Sequence, residues 1–309
     1  MIEERGPYDQ AARKRCPNAR VFLRSESVMK HMVLGSALVA ALGTIVLGAE
    51  SAPPPTASLG TARPEPPIAS PPPGPIASAP TATGACADNM VLVEGDYCGF
   101  VEHACKHFVD NQIERDRCEQ YQATSRCIGR SVHKRFCIDK YEFPNIKGIK
   151  PVTAVNWEEA AAGCARVGKR LCKDQEWTLA CEGPERLPYP YGYTRSAEAC
   201  NIDRPFVKPD NDKINDPYAR ADEIERLDRR EASGSRAGCV SGFGVHDMTG
   251  NADEWVVHEE GKIEKKPYKS GLKGGWWGPV RNRCRPTTTD HNQWHMGFAI
   301  GYRCCADVK

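Results

Sequence analysis

The stretch GGWWGPVRNRC, residues 274–284, holds residue types from which a redox site could be built. Cysteine thiolate is a nucleophile and a preferred ligand of soft cations such as Cu(I). Redox chemistry on a substrate would call for two such sulfurs, and this stretch has only Cys284. The stretch is therefore either the floor of an active site or a scaffold from which a site has been lost.

A second stretch, DMTGNADE over residues 247–254, is rich in oxygen ligands. Hard cations such as Ca²⁺ bind clustered carboxylate and carbonyl oxygens, and a glycine-containing turn can direct carbonyls inward. The alternative is a plain turn in which Asn251 takes a left-handed conformation and Glu254 is solvated. The residues of this stretch alone leave both possibilities open.

The cysteines indicate an oxidising compartment. Of the fifteen, only Cys16 precedes the apolar run at residues 32–48, which leaves fourteen beyond it. An even number of exported cysteines is typical of disulfides. A zinc site among the cysteines of residues 105–137 is the alternative, but none of their spacings is that of a CxxC knuckle.

The first third of the chain predicts export. Residues 1–31 are basic and residues 32–48 carry no charge, which places the N-terminus in the cytoplasm. The apolar run fits a cleaved signal peptide or a retained membrane anchor. Residues 49–84 are rich in Pro and Ala and predict an extended, disordered linker. We expect the rest to be periplasmic or extracellular.

The folded part, residues 86–309, predicts few regular elements. A capping box begins a helix over residues 156–168 whose inward face includes Cys164 and Val167, and a second helix covers residues 174–183. Two alternating stretches predict strands, residues 90–95 and residues 135–143. The cysteine-rich residues 98–132 predict an insertion pinned by disulfides. With so few helices and strands, the layered core is small, so disulfides and bound cations must supply the remaining stability.

Several motifs together resemble one family. They occur in the order RFCIDKYEFPN, NWEEAAAGCARVGKRLC, YPYG, CNID, GVHDMTGNADEWV, LKGGWWG and GYRC. In this order they resemble the formylglycine-generating enzyme, or sulfatase-modifying factor, family over about residues 88–306. The resemblance implies that family's α+β fold, which is related to C-type-lectin-like domains. Its members include copper-dependent oxidases, iron-dependent sulfoxide synthases and proteins with no assigned chemistry, so the fold does not define the activity.

The resemblance also implies disulfides between the two predicted helices and the C-terminal segment. These are Cys164 with Cys304 and Cys181 with Cys284. Two further pairs fit the order of the chain, Cys200 with Cys239 and Cys172 with Cys305. The other six exported cysteines cannot be paired from the sequence.

Calcium ligands are implied in the same way. In residues 247–254 they are the side chains of Asp247 and Glu254 and the carbonyls of Gly250 and Ala252. A second calcium position would use Asn201 and Ile202, although the sequence that follows departs from the family's pattern.

In the copper oxidases, the stretch that corresponds to residues 274–284 carries two Cu(I)-binding cysteines. Here Pro279 stands at the first of these positions. Cys284 fits either the second position or the partner of Cys181, and only one of these roles can hold. The context NRCRP favours the crosslink, so copper is not expected. Iron is not expected either, because the HxxxHxE pattern of the sulfoxide synthases is absent and loop histidines such as His258, His291 and His295 are more often surface residues.

The leading hypothesis is a non-catalytic, calcium-stabilised module that binds an extracytoplasmic peptide, protein or glycan. Aromatic residues beside arginines could form a groove for such contacts; they are Trp255, Trp276, Trp277, Trp294, Tyr189 and Tyr191. Trp255, Trp276 and Trp277 are also candidates for the core. One alternative is a metal-dependent oxidase of the family that acts on a protein thiol. Another is an envelope protein whose linker positions a rigid head. The net charge of +2 argues against nucleic acid, and membrane contact would require that residues 32–48 are retained.

Overall fold

The computed structural model describes residues 84–109 and 117–309, all within one compact unit, Pro73–Lys309. The predicted basic segment, the apolar run and all but the last residue of the predicted linker lie outside these residues. In the part of the chain that is described, no helix is both long enough and apolar enough to cross a membrane.

The largest sheet has four strands in the order β1-β6-β11-β7. They are β1 (Met90–Cys98), β6 (Ser131–Asp139), β7 (Arg170–Leu171) and β11 (Cys304–Ala306). β1 and β6 are antiparallel along their whole length, with Met90 opposite Asp139. Both predicted strands exist, but β1 runs to Cys98 and β6 ends before Tyr141, because the chain turns after Asp139.

A second sheet of three strands has the order β10-β8-β9. They are β8 (Asp253–Val257), β9 (Ser270–Lys273) and β10 (Ile300–Tyr302). The cysteine-rich insertion forms two hairpin-like pairs. These are β2 (Val101–Glu102) with β5 (Arg126–Cys127), and β3 (Cys105–Phe108) with β4 (Cys118–Tyr121).

The described part contains four short helices. They are α1 (Trp157–Arg166), α2 (Asp174–Glu182), α3 (Asn211–Asn215) and α4 (Arg220–Leu227). The predicted capping box of α1 is present, since Asn156 Oδ1 accepts from Glu159 N at 2.9 Å and Glu159 Oε2 accepts from Asn156 N at 2.9 Å. The inward position predicted for Val167 is wrong. It is 52% exposed because the helix ends there.

The two longer core helices each anchor one apolar cluster. In α2, Trp177 packs with Val93 and Phe136 of the four-stranded sheet. In α1, Cys164 packs with Trp255 and other residues of the second sheet. The helices therefore lie where the two sheets must be joined, and burial of their apolar faces stabilises both sheets.

The fourteen cysteines of the described residues form seven disulfides. Four are the pairs named above: Cys164–Cys304, Cys172–Cys305, Cys181–Cys284 and Cys200–Cys239. The other three hold the N-terminal part, as Cys86–Cys137, Cys98–Cys127 and Cys105–Cys118. The zinc alternative does not hold for these residues, because each sulfur is already bonded to another.

The crosslink that alone closes the longest loop should contribute most to stability. Cys164–Cys304 does not, because the adjacent bond Cys172–Cys305 already joins the same two parts of the chain. Cys200 and Cys239 are separated by 39 residues and enclose no other crosslink. We expect Cys200→Ala/Cys239→Ala to lower the free energy of unfolding by about 4 kcal/mol, measured by guanidinium chloride denaturation without reductant. The control Cys105→Ala/Cys118→Ala removes a bond with a separation of 13 and should cost about 1 kcal/mol less. An equal or larger loss in the control would contradict this account.

Candidate functional site

The stretch 274–284 leaves β9 and turns sharply at its two glycines. Gly274 and Gly275 have φ angles of +87° and +73°, a region that favours glycine. A Cβ on Gly274 would lie 2.8 Å from the carbonyl oxygen of Met248, and one on Gly275 would lie 2.8 Å from Asn282 Nδ2. The glycines therefore let the stretch pack directly against the loop that contains Met248.

The single cysteine of the stretch forms a crosslink. Cys284 is bonded to Cys181 near the end of α2, and both residues are 0% exposed. The backbone amide of Cys284 also donates to the carbonyl of Pro188 at 2.9 Å. Of the two roles left open for Cys284, the structure has the crosslink, and its sulfur is not a thiolate.

Pro279, at the position that the resemblance assigns to the first copper cysteine, is part of an apolar surface. Pro279 lines a cavity of about 370 Å³ whose other walls are Phe206, Trp276 and Val280. We call these four residues the Trp276 surface. Phe206 is 59% exposed, and the Trp276 ring meets the ring of Phe298 at 5.5 Å between centroids. The surface presents aromatic rings in place of metal ligands.

The predicted aromatic groove is smaller than expected. Trp255, Trp277 and Tyr189 are at most 2% exposed and belong to the core. The core alternative therefore holds for Trp255 and Trp277 but not for Trp276, which remains half-buried. Trp294 is 66% exposed but does not line the Trp276 surface.

Arg281 of the stretch and Arg285 directly after it pair with buried acidic residues. Arg281 donates to both carboxylate oxygens of Asp253, at 3.1 Å, and Asp253 also accepts from the backbone amide of Gly275. Arg285 forms an ion pair of 2.7 Å with Glu182, which is 0% exposed. These two ion pairs hold the backbone at and after the stretch against β8 and α2.

Lys273 lies buried directly before the glycine pair. Its Nζ donates to Thr178 Oγ1 at 2.8 Å and to the carbonyl of Arg285 at 2.9 Å. It also lies 5.2 Å from the centroid of the Trp177 ring. Burial lowers the pKa of Lys273 to about 7, because the charged form loses its hydration.

The loop at residues 247–254 is held by internal polar contacts. Asn251 has a φ of +57°, as the plain-turn alternative requires. Glu254 is 1% exposed, and its two oxygens accept from Arg303 at 2.7 Å while Oε2 also accepts from Trp177 Nε1 at 2.7 Å. Asp247 accepts from the amide of Gly234 at 2.6 Å. The turn is therefore left-handed at Asn251, but Glu254 is not solvated.

The two predicted calcium positions contact each other. Gly250 packs on the carbonyl of Asn201 and on Ile202, so closely that a side chain could not fit between them. The carbonyl of Asn201 accepts from the amide of Asn251 at 2.9 Å, and its Oδ1 accepts from Arg204 Nε at 3.0 Å. Both oxygens of Asn201 are therefore already engaged. Ala252, next in the loop, is 1% exposed.

Glu142 is a buried acid of this region that the sequence analysis did not identify. It is 0% exposed and accepts from Ser233 Oγ and Asn251 Nδ2, each at 2.8 Å. Burial, together with the nearby charges of Asp247 and Glu254, raises its pKa well above the usual range. Burial raises the pKa of Asp247 to about 6. Glu142 stands in the motif EFPN, which served only to recognise the family.

The buried carboxylates of this region could be neutralised by a hard cation, but not every residue predicted as a calcium ligand is suited to bind one. The carboxylates of Glu142, Asp247 and Glu254 lie near one buried guanidinium, that of Arg303. Asp247 can accept a cation, whereas Glu254 fits the role of a ligand less well because both of its oxygens already accept hydrogen bonds from Arg303 or Trp177. Across residues 84–109 and 117–309, no three Asp, Glu, His or Cys side chains converge as a metal-binding group.

The histidines considered for iron have other contacts. His258 Nδ1 lies 2.6 Å from Asp174 Oδ2. His291 and His295 stack on each other with 4.0 Å between ring centroids.

Comparisons with known proteins agree on one family. The profile described as sulfatase-modifying factor enzyme 1-like domain matches residues 94–308. The chain is 26% identical to inactive C-alpha-formylglycine-generating enzyme 2 of Bos taurus over 163 residues, which is 50% of each protein. It is 29% identical to the formylglycine-generating enzyme of Thermomonospora curvata over 111 residues, 35% of this chain and 33% of that protein. The chain thus spans about half the length of the bovine relative and a third of the bacterial one.

Two solved structures resemble the domain. PvdO from Pseudomonas aeruginosa aligns with a TM-score of 0.45 and 17% identity, covering 71% of this chain and 94% of PvdO. CarF aligns with a TM-score of 0.44 and 16% identity, covering 71% of this chain and 98% of CarF.

The buried lysine should make stability depend on pH. The pKa of Lys273 is about 7 in the folded state and about 10.4 in an unfolded chain. Between these values the unfolded state binds the additional proton, so the free energy of unfolding rises with pH. We expect the free energy of unfolding of the wild type, measured by urea denaturation, to rise by about 2 kcal/mol between pH 7 and pH 9. In Lys273→Met this rise should be absent. The control Lys269→Met removes an exposed lysine and should keep this rise. Parallel plots of unfolding free energy against pH for the wild type and both variants would contradict the lowered pKa of Lys273.

Proposed function

Because this chain belongs to the sulfatase-modifying factor enzyme 1-like family, we propose that it is a non-catalytic member that acts as a binding module. The observation that carries this proposal is the bond between Cys284 and Cys181, together with Pro279 at the other position where a copper oxidase has cysteine. A Cu(I) site of the family's kind needs two thiolates, and neither is available in the stretch. The relative from Bos taurus, which is named inactive, fits the same interpretation.

The Trp276 surface is the proposed contact region. It combines an exposed phenylalanine, a half-buried tryptophan and a proline around one cavity. The backbone behind it is fixed, since Asn282 Nδ2 donates to the carbonyl of Trp276 at 2.6 Å and Arg204 N donates to that of Trp277 at 2.8 Å. Rigid aromatic residues lose little entropy on binding and often dominate the energy of an interface.

The proposed partners are extracytoplasmic peptides, proteins or glycans. Seven disulfides support an oxidising compartment, because such bonds persist outside the cytosol. Aromatic rings can cover both the apolar face of a sugar and the side chains of a peptide. The surface has few charged groups, so we expect recognition by shape and apolar contact.

Calcium is proposed as a structural cofactor of the loop at residues 247–254. The excess of buried carboxylates over Arg303 supports it, because a divalent cation would offset that charge. Asp247 and the carbonyls of Gly250 and Ala252 would hold the ion, which supplies no catalysis and only fixes the loop. Glu142 lies nearby, and a bound divalent cation would favour its charged form.

The Trp276 surface can be tested with defined libraries of peptides and glycans. For any bound member, Trp276→Ala should weaken binding at least tenfold, since loss of an aromatic anchor costs about 2 kcal/mol or more. The control Trp294→Ala removes a tryptophan that is 66% exposed elsewhere and should leave affinity unchanged. The same preparation, loaded with Cu(I) and supplied with oxygen, should leave a cysteine peptide unmodified. Conversion of the peptide cysteine to an aldehyde would overturn the non-catalytic proposal.

Calcium can be tested by thermal unfolding. If the ion is bound at one hundred times its dissociation constant, the domain gains about 2.7 kcal/mol, which raises Tm by about 5–10 °C for a domain of this size. We expect the rise to be lost in EDTA and in Asp247→Asn, and to be kept in Asp210→Asn. Identical Tm values with calcium and with EDTA would mean that Arg303 alone stabilises the loop.

A further inference from the structure

A second cavity, distinct from the Trp276 surface, lies between the cysteine-rich insertion and residues 283–285. Its volume is about 700 Å³, which is within the range of small-molecule sites. The residues that matter for its chemistry are Tyr97, Phe100, His103, Tyr121, Arg283 and Arg285. It shares no lining residue with the Trp276 surface.

A buried hydroxyl in this cavity lacks a protein partner. Tyr121 is 3% exposed, and its ring packs against the rings of His103 and Tyr189. Its Oη forms no hydrogen bond with any described residue. A buried hydroxyl without a partner is rare in folded proteins and costs about 1–3 kcal/mol. The hydroxyl of Tyr121 is therefore available to a ligand.

Positive charge is concentrated on one wall of the cavity. Burial, with the like charge of Arg285, lowers the pKa of Arg283 to about 10. Arg285 uses one nitrogen to bind Glu182, while its Nε is buried without a hydrogen-bond partner in the described chain. An anion between the two guanidinium groups would offset their repulsion.

Aromatic rings form much of the remaining walls of the cavity. Tyr97 lies 5.6 Å from the guanidinium of Arg285, and Phe100 is 59% exposed at the rim. The acidic wall residue, Glu102, is drawn to Arg126 in an exposed pair of 2.7 Å. The cavity thus combines an anion-binding wall with flat apolar surfaces.

Crosslinks hold these walls in place before any ligand binds. Cys98 is bonded to Cys127, and Cys105 to Cys118, so two of the insertion's disulfides lie beside the cavity. A cavity with fixed walls loses less conformational entropy on binding than a flexible one. The disulfides of the insertion therefore stabilise the insertion and also fix the shape of the cavity.

We propose that this cavity binds an organic carboxylate with an aromatic or bulky apolar body. Arg283 and Arg285 hold the carboxylate, Tyr121 Oη donates to an oxygen of the ligand, and Tyr97 and Phe100 cover the apolar body. The ligand is either a small acid or the C-terminal end of a peptide, which present the same chemistry. The site is independent of the proposed binding function of the Trp276 surface.

Isothermal titration of the full chain tests the proposal. N-acetylphenylalanine is the probe, and N-acetylphenylalaninamide is its neutral match. We expect the acid to bind at least tenfold more tightly than the amide. A glycine-rich peptide that ends in phenylalanine, with a free carboxylate, distinguishes the two sources: equal binding identifies a peptide terminus, and weaker binding identifies a small acid. Equal affinity for acid and amide, or binding of neither, would overturn the proposal.

Two variants and one control variant localise the effect. Tyr121→Phe should weaken binding of the acid about fivefold or more while Tm stays the same or rises, because the hydroxyl it removes has no protein partner. Tyr193→Phe removes a hydroxyl that contacts Ser125 at 3.1 Å outside the cavity and should not affect binding. Arg283→Gln should reduce affinity for the acid without changing that for the amide. Wild-type affinity in both Tyr121→Phe and Arg283→Gln would refute the site.

Discussion

The disulfide between Cys181 and Cys284 is the constraint on which the rest of this structure depends. It fixes the end of α2 to the stretch 274–284, with both sulfurs removed from solvent. The stretch then leaves Trp276 half-buried at the surface, and Arg285, directly after the stretch, pairs with the buried Glu182. The same bond consumes the one sulfur that a copper site in this stretch could use. One covalent link thus fixes the backbone behind the surface and leaves Cys284 without a free thiolate.

A polar interior complements this crosslink. Arg303 and Glu254 form a fully buried ion pair at 2.7 Å, and Trp177 donates to the same carboxylate. Removal of one partner from such a pair costs about 3–5 kcal/mol, because it leaves a buried charge without compensation. Gly250, with φ of +81°, lets the neighbouring loop approach Asn201 closely. A domain with little helix and short strands is therefore held by disulfides, buried ion pairs and loop-to-loop contacts.

Local signals in the sequence predicted local structure well. The capping box of α1 follows from Asn156 and Glu159 alone, because both partners lie within one helical turn. The formylglycine-generating-enzyme fold and the pairing of Cys164 with Cys304 came from resemblance, since contacts over 140 residues leave no periodic signal. Properties that depend on tertiary packing were not predictable. The sequence could not separate the half-buried Trp276 from the buried Trp277, nor show that Arg303 would contact both oxygens of Glu254.

The central claim is that Cys284 is a structural half-cystine. The most direct measurement is mass spectrometry of the alkylated, non-reduced protein after proteolysis, repeated after incubation with Cu(I). The account predicts a linked pair of peptides that contain Cys181 and Cys284, no alkylation of Cys284, and no change when copper is added. An alkylated Cys284 that copper protects from alkylation would contradict it.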